Sequence, residues 1–221
     1  MVSCGNTMKI RVICDNEAKR AGLQPNWGFA ALIESNTGKP ILFDTGADGA
    51  TLLHNSHSLG IDLGGIGTVV ISHAHWDHTG GLSAVLRMNK SAELYLPGPQ
   101  ANSFADRKVT VVGKDSIRIR EDVFSTGVLE GIEQSLVLNT EKGMFVVTGC
   151  AHPEMRSILD RASKLGRVCG IAGGFHGFQD FKLFEGLSFI YPCHCTQHKR
   201  EILELFADKA FECAAGLLIE L

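Results

Sequence analysis

The sequence predicts an α/β fold with many strands, and three observations carry that expectation. Short apolar runs rich in Val, Ile and Phe recur along the whole chain, helical stretches lie between them, and glycines fall just after the runs, where the backbone must turn sharply. Runs at residues 8–14, 28–34 and 41–43 have strand length. Gly46 then closes a turn, and 47–58 reads as a helix. A strand at 68–72 leads through a polar segment and two glycines into a helix at 82–89, and strands follow at 93–96 and 109–112. The second half continues the mixture, with strands at 135–138, 144–148, 168–172, 189–191 and 216–220 and helices at 153–165 and 197–209. In the last helix Ile202, Leu205 and Phe206 share one face, as a core-packed helix requires. No internal repeat, low-complexity tract or Pro/Gly/Ser linker interrupts the chain, so residues 1–221 read as one domain.

With 44% hydrophobic and 20% charged residues the chain is too apolar for disorder, and no run is long enough to span a membrane. A chain of this size buries roughly 70% of its unfolded surface, so its core needs no metal and any metal serves chemistry. A net charge of −3 gives no reason to expect a nucleic-acid or membrane-surface binder. The first residues lack the apolar core of a signal peptide, so a cytoplasmic location is expected. Seven scattered cysteines without a CxxC argue against a disulfide framework and for buried free thiols.

Chemistry concentrates in ISHAHWDHTGG. An apolar strand runs into His73, His75, Asp77 and His78, then Gly80 and Gly81. Alternate side chains of an extended backbone share a face, so His73 and His75 can converge on one ion. Asp77 and His78, where the chain turns into a helix, point elsewhere and suit a second ion, as in two-metal hydrolases. His152, His176 and His194 each stand just past a further strand, and strand ends on one sheet edge gather in space. Asp44, in FDTG, puts a carboxylate at another strand end, a natural support for a metal-bound histidine or water.

FDTG, HAHWDH followed by GG, and two later strand-terminal histidines resemble the metallo-β-lactamase superfamily. The segments MKIRVICDN, NWGFAALIE, LFDTGADG, VVISHAHWDHTGGL, FVVTGCAHPE, IAGGFHGF and PCHCT are similar to one branch of it, which includes dihydropterinyl-methyl-ribofuranosylaminobenzene-phosphate synthases of methanopterin biosynthesis. The resemblance implies an αββα sandwich, two mixed sheets face to face with helices outside and a metal site along one edge. It implies His73, His75 and His152 as one metal site, Asp77, His78 and His194 as a second, and Asp44 as the supporting carboxylate. The chain departs from the superfamily pattern where a bridging Asp, or a Cys in some members, is expected between His152 and His194. The strand-terminal residue there is His176, open to the roles of weak ligand, substrate contact or proton donor. CTQ also replaces the CTG usual in this branch.

Other residues read differently. Strand alternation points Cys193 and Cys195 away from His194 and into the interior, whereas Cys150 shares a face with His152. His54, His57 and His198 read as solvated helix residues. Trp76 either walls a substrate pocket or packs under the metal loop. Asp15, Asn16, Asn26 and Trp27 either line the pocket mouth or form turns. The charged stretch from Arg107 to Arg120 reads as a solvated strand pair rather than a phosphate-binding rim.

The expected function is therefore a metal-dependent hydrolase of an ester, amide or phosphoester in a small molecule. One or two divalent ions, zinc by preference with manganese or iron as alternatives, would supply activated water. Asp77, Asp44 and His176 are the expected catalytic residues, with no nucleic-acid or membrane partner. GxSxG, the P-loop and GxGxxG are absent. The alternatives are a pterin-precursor synthase, which rests on the resemblance alone, and a non-catalytic metal-binding protein. Flavo-diiron chemistry fits poorly, because position 75 is His and no flavodoxin-sized segment remains.

Overall fold

The computed structural model describes residues 7–98, 104 and 106–221. Seven strands form one sheet: β1 (Met8–Cys14), β2 (Ala30–Ser35), β3 (Ile41–Phe43), β4 (Thr68–Val70), β5 (Glu93–Pro97), β6 (Val109–Val112) and β13 (Leu218–Glu220), in the order β13-β1-β2-β3-β4-β5-β6. The other sheet holds β7 (Ile117–Arg118), β8 (Val123–Ser125), β9 (Leu136–Thr140), β10 (Gly143–Thr148), β11 (Val168–Gly174) and β12 (Phe189–Cys193), in the order β12-β11-β10-β9-β8-β7.

Period-two alternation assigns the faces. Ile41 and Phe43 of β3, Leu136 and Leu138 of β9, and Phe145 and Val147 of β10 share one buried cluster between the sheets. Their neighbours face outwards. Leu42 packs with α1 (Gly49–Ser58) through Leu52 and, past the one-turn α2 (Trp76–Thr79), with α3 (Leu82–Met88) through Val85. Val137 and Val146 pack with α4 (Met155–Ser163) through Ile158 and with α5 (Lys199–Leu205) through Ile202. The result is the four-layered αββα sandwich.

Some expectations need correction. The last helix ends at Leu205, because Phe206 leaves helical geometry at φ −121° and ψ 42°, and Leu205 is 59% exposed rather than in the core. Two strands, β6 and β7, do form between Arg107 and Arg120, but they lie in different sheets rather than pairing with each other, and the three-residue β8 falls outside the expected runs. In that region Arg107 caps the end of α3, donating to the carbonyls of Leu86 and Asn89, and Arg120 donates to the Lys39 carbonyl. Arg107 and Arg120 thus serve structural roles. Among the described residues no helix is long and apolar enough to cross a membrane.

The pairing positions the site. Strands β3, β4, β5 and β6 run parallel in one sheet, and β10, β11 and β12 run parallel in the other. Parallel neighbours end on the same edge, and the residues that follow β3, β4, β10, β11 and β12 include Asp44, His73, His152, His176 and His194 respectively.

Candidate metal centre

The chain turns abruptly at these strand ends. Among the described residues five non-glycine residues have positive φ, and four of them, Asp44, Ala151, His176 and His194, stand here. Left-handed backbone is costly for such residues and persists where the surroundings enforce it. Gly149 has no room for a side chain, since a Cβ would strike the Ser72 side chain and come within 3.1 Å of Asp44 Oδ2.

Two groups of donors result. Nitrogens of His73, His75 and His152 lie within 4.8 Å of one another, as do donor atoms of Asp77, His78 and His194. In the first group, His75 Nδ1 is 3.0 Å from His73 Nε2 and 3.2 Å from His152 Nε2. In the second, Asp77 Oδ2 is 3.4 Å from His194 Nε2 and 3.9 Å from His78 Nε2.

Hydrogen bonds behind the rings turn their lone pairs inwards. Asp44 is fully buried and accepts from the Ser72 backbone, the Ser72 hydroxyl and His78 Nδ1, each at 2.7 Å. With its proton committed to Asp44, the Ser72 hydroxyl accepts from His73 Nδ1 at 2.9 Å. Asp44 therefore orients one ring of each group, and it acts through them, since it is sealed from any substrate. Asn16 does the same for His194, accepting from its Nδ1 at 3.0 Å while donating to its carbonyl. Trp27 donates to Asp77 Oδ2 at 2.9 Å.

This arrangement fits divalent metal. His194 Nε2 is buried without any hydrogen-bond partner, a costly state for a nitrogen lone pair unless a ligand meets it. Burial, reinforced by the neighbouring His78, pushes His73 and His194 down to about 3, so both rings present the neutral, metal-binding form. Burial opposes charge on Asp77, yet His78 and His194 hold its carboxyl below the usual range.

His176 joins neither group. Its ring centroid lies 5.2 Å from that of His152, and the two line a cleft of about 320 Å³ with Pro153 and Phe178. A second cleft of about 470 Å³ lies beside Ala74, walled by Pro97, Val112, Lys114, Val128 and Ile132. Trp76 is 63% exposed, which excludes packing under the loop.

Cys195 is the clear correction. It does not point away from His194: its sulfur lies within 4.8 Å of donor atoms of His194 and Cys150. Strand alternation stops at Cys193, and the left-handed turn at His194 brings the next side chain back to the site. Cys193 is buried in the core, as alternation requires.

The residue missed altogether is Glu133. It is 1% exposed, and its Oε1 accepts from the backbone of Gly149, Cys150 and Ala151 and from the Thr148 hydroxyl at 2.9 to 3.3 Å. Its Oε2 accepts from the His152 backbone at 3.0 Å. One carboxylate thus folds the loop that delivers His152. The only sequence signal was a Glu-Gln pair set directly before an apolar strand.

Comparison with known proteins agrees with this fold. The profile described as the metallo-beta-lactamase superfamily matches residues 25–159. A 7,8-dihydropterin-6-methyl-4-(beta-D-ribofuranosyl)-aminobenzene-5'-phosphate synthase of Methanocaldococcus jannaschii is 25% identical over 292 aligned positions, covering 100% of this chain and 99% of the relative. A crystal structure described as a metal-dependent hydrolase of the beta-lactamase superfamily superposes with a TM-score of 0.79 at 26% identity, covering 97% of this chain and 99% of the other. The metallo-beta-lactamase fold protein YhfI from Bacillus subtilis superposes at 0.68 with 14% identity, over 98% and 100% of the two chains, a likeness of fold alone.

Proposed function

The chain belongs to the metallo-beta-lactamase superfamily, and we propose that within it the protein acts as a metal-dependent hydrolase of an ester, amide or phosphoester in a small molecule. The supporting observation is the pair of inward-facing donor groups, one ring of each oriented by the same buried Asp44. His73, His75 and His152 would hold one divalent ion and Asp77, His78 and His194 a second. When bound, such ions polarise the scissile group and make water nucleophilic near neutral pH. Imidazole and carboxylate donors suit zinc and also accept manganese or iron.

The chain's own residues supply the rest. Asp77, ionised at neutral pH and anchored by Trp27, can orient an attacking water or take its proton at a carboxylate oxygen. His176, beside His152 at the cleft, can contact the substrate or return a proton to the leaving group. Lys114, the one cation among the described residues lining the cleft beside Ala74, would meet an anionic substituent on an otherwise apolar molecule.

A synthase acting on a pterin precursor is the second reading, favoured by the full-length match to the methanogen enzyme. An alignment of 292 positions for a chain of 221 residues means that this relative carries insertions that this chain lacks.

The test is metal analysis of protein purified without added metal, followed by an ester, amide and phosphoester panel with the ion found. Activity should rise with pH and be lost in Asp77→Asn. A metal-loaded protein inert across the panel would favour a non-catalytic metal-binding role, and full activity in Asp77→Asn would refute the assignment of Asp77.

A further inference from the structure

Two cations held close together repel, and an anion between them offsets that repulsion. His176, at the strand end where a bridging carboxylate was expected, is neutral when it ligates and stands outside both donor groups. Another side chain adjoins both groups. The Cys150 sulfur lies within 4.8 Å of nitrogens of His73 and His78, and within the same distance of His194 and the Cys195 sulfur. His73 belongs to the first group, and His78 and His194 to the second, so one sulfur adjoins both. It is 3.2 Å from His78 Nε2. It is also held in place: Cys150 is 3% exposed, and its backbone N–H donates to Glu133 at 3.0 Å. Gly174 makes room for the second sulfur, since a Cβ there would stand 2.6 Å from Cys195 Sγ.

We propose that Cys150 is a metal ligand placed between the two ion positions, binding as a thiolate and supplying the negative charge that His176 does not. This rests on the two-ion reading above. Ligation exchanges the S–H bond for a sulfur–metal bond and releases the proton to solvent, with no change of oxidation state. Cys195 lies alongside as a neighbour that can hydrogen-bond the ligating sulfur. A soft sulfur donor shifts the preference of the site towards zinc and away from manganese or magnesium.

The experiment is cobalt(II) titration of chelator-treated protein, read by absorption. Visible d–d bands report ion binding, and a near-ultraviolet thiolate-to-cobalt charge-transfer band reports sulfur ligation. Wild type and Cys195→Ala should show both. Cys150→Ala should keep visible bands from the histidine group, lose the charge-transfer band, and bind the second ion about ten- to a hundred-fold more weakly. Retention of the band in Cys150→Ala, its loss in Cys195→Ala alone, or its absence from a cobalt-loaded wild type would overturn the proposal. Absence of visible bands in wild type would instead refute the metal reading itself, and this inference with it. Should Cys150→Ala fail to fold, zinc X-ray absorption of the wild type and of Cys195→Ala decides: both should show a sulfur neighbour at about 2.3 Å, and a nitrogen- and oxygen-only shell in either overturns it.

Discussion

Replacing Glu133 by Gln tests whether one buried carboxylate organises the His152 loop. The amide oxygen can keep the crowded Oε1 position, but the –NH2 then faces the His152 N–H, where Oε2 had accepted at 3.0 Å. One bond becomes a donor–donor contact. The bonds from Gly149, Cys150, Ala151 and Thr148 survive without charge assistance. A buried donor left unpaired costs about 1–3 kcal/mol, and a bond to a charged acceptor exceeds a neutral one by about 0.5–1.5 kcal/mol. With one donor unpaired and four bonds weakened, a loss of about 3 kcal/mol or more follows. In urea, with a slope of about 2–3 kcal/mol/M, the midpoint of the metal-free protein should fall by about 1 M or more. Because the loop carries His152, affinity for the ion at the His73 group should fall as well, by about tenfold or more. An unchanged midpoint together with unchanged metal affinity would refute the role given to Glu133.

Acid should weaken the metal-free protein. His73 and His194, pushed by burial to about 3, stay neutral in the fold while their unfolded counterparts charge below 6.5, so each contributes stability that is lost as the pH falls from about 6.5 towards 3. Asp15, pushed up by burial to about 6 from 3.8, acts oppositely between those values, and His78, whose burial is outweighed by Asp44, is charged in both states there. Burial lowers His152 in the same sense as His73 and His194, so the unfolded chain binds at least about one proton more, and stability should drop by about 1.4 kcal/mol or more per unit from about pH 6 to 4; a urea midpoint equal or higher at the lower pH would contradict this. Asn16→Ala frees the His194 ring and should weaken the second ion about ten- to a hundred-fold while leaving the first in place, as calorimetric titration would reveal. Changing His73 and His75 together to Ala should abolish binding at the first position with the far-ultraviolet spectrum retained, and undiminished metal content would remove that position from the assignment.

The sequence determined what is local. Alternation in ILF, LVL and FVV divides each strand between two cores, and the spacing of His73, His75, Asp77 and His78 follows from one strand running into one helical turn. Glycine turns marked the strand ends where His152 and His176 stand. Only the tertiary structure decided which groups meet behind and between those ligands. Glu133 is 19 residues from the His152 backbone that it holds, and Asn16 is 178 residues from His194. Such contacts leave no period in the chain, because sheet pairing creates them. The reversal of Cys195 has the same origin: alternation holds while the backbone is extended, and the left-handed turn at His194, imposed by packing against Asp15 and Asn16, ends it.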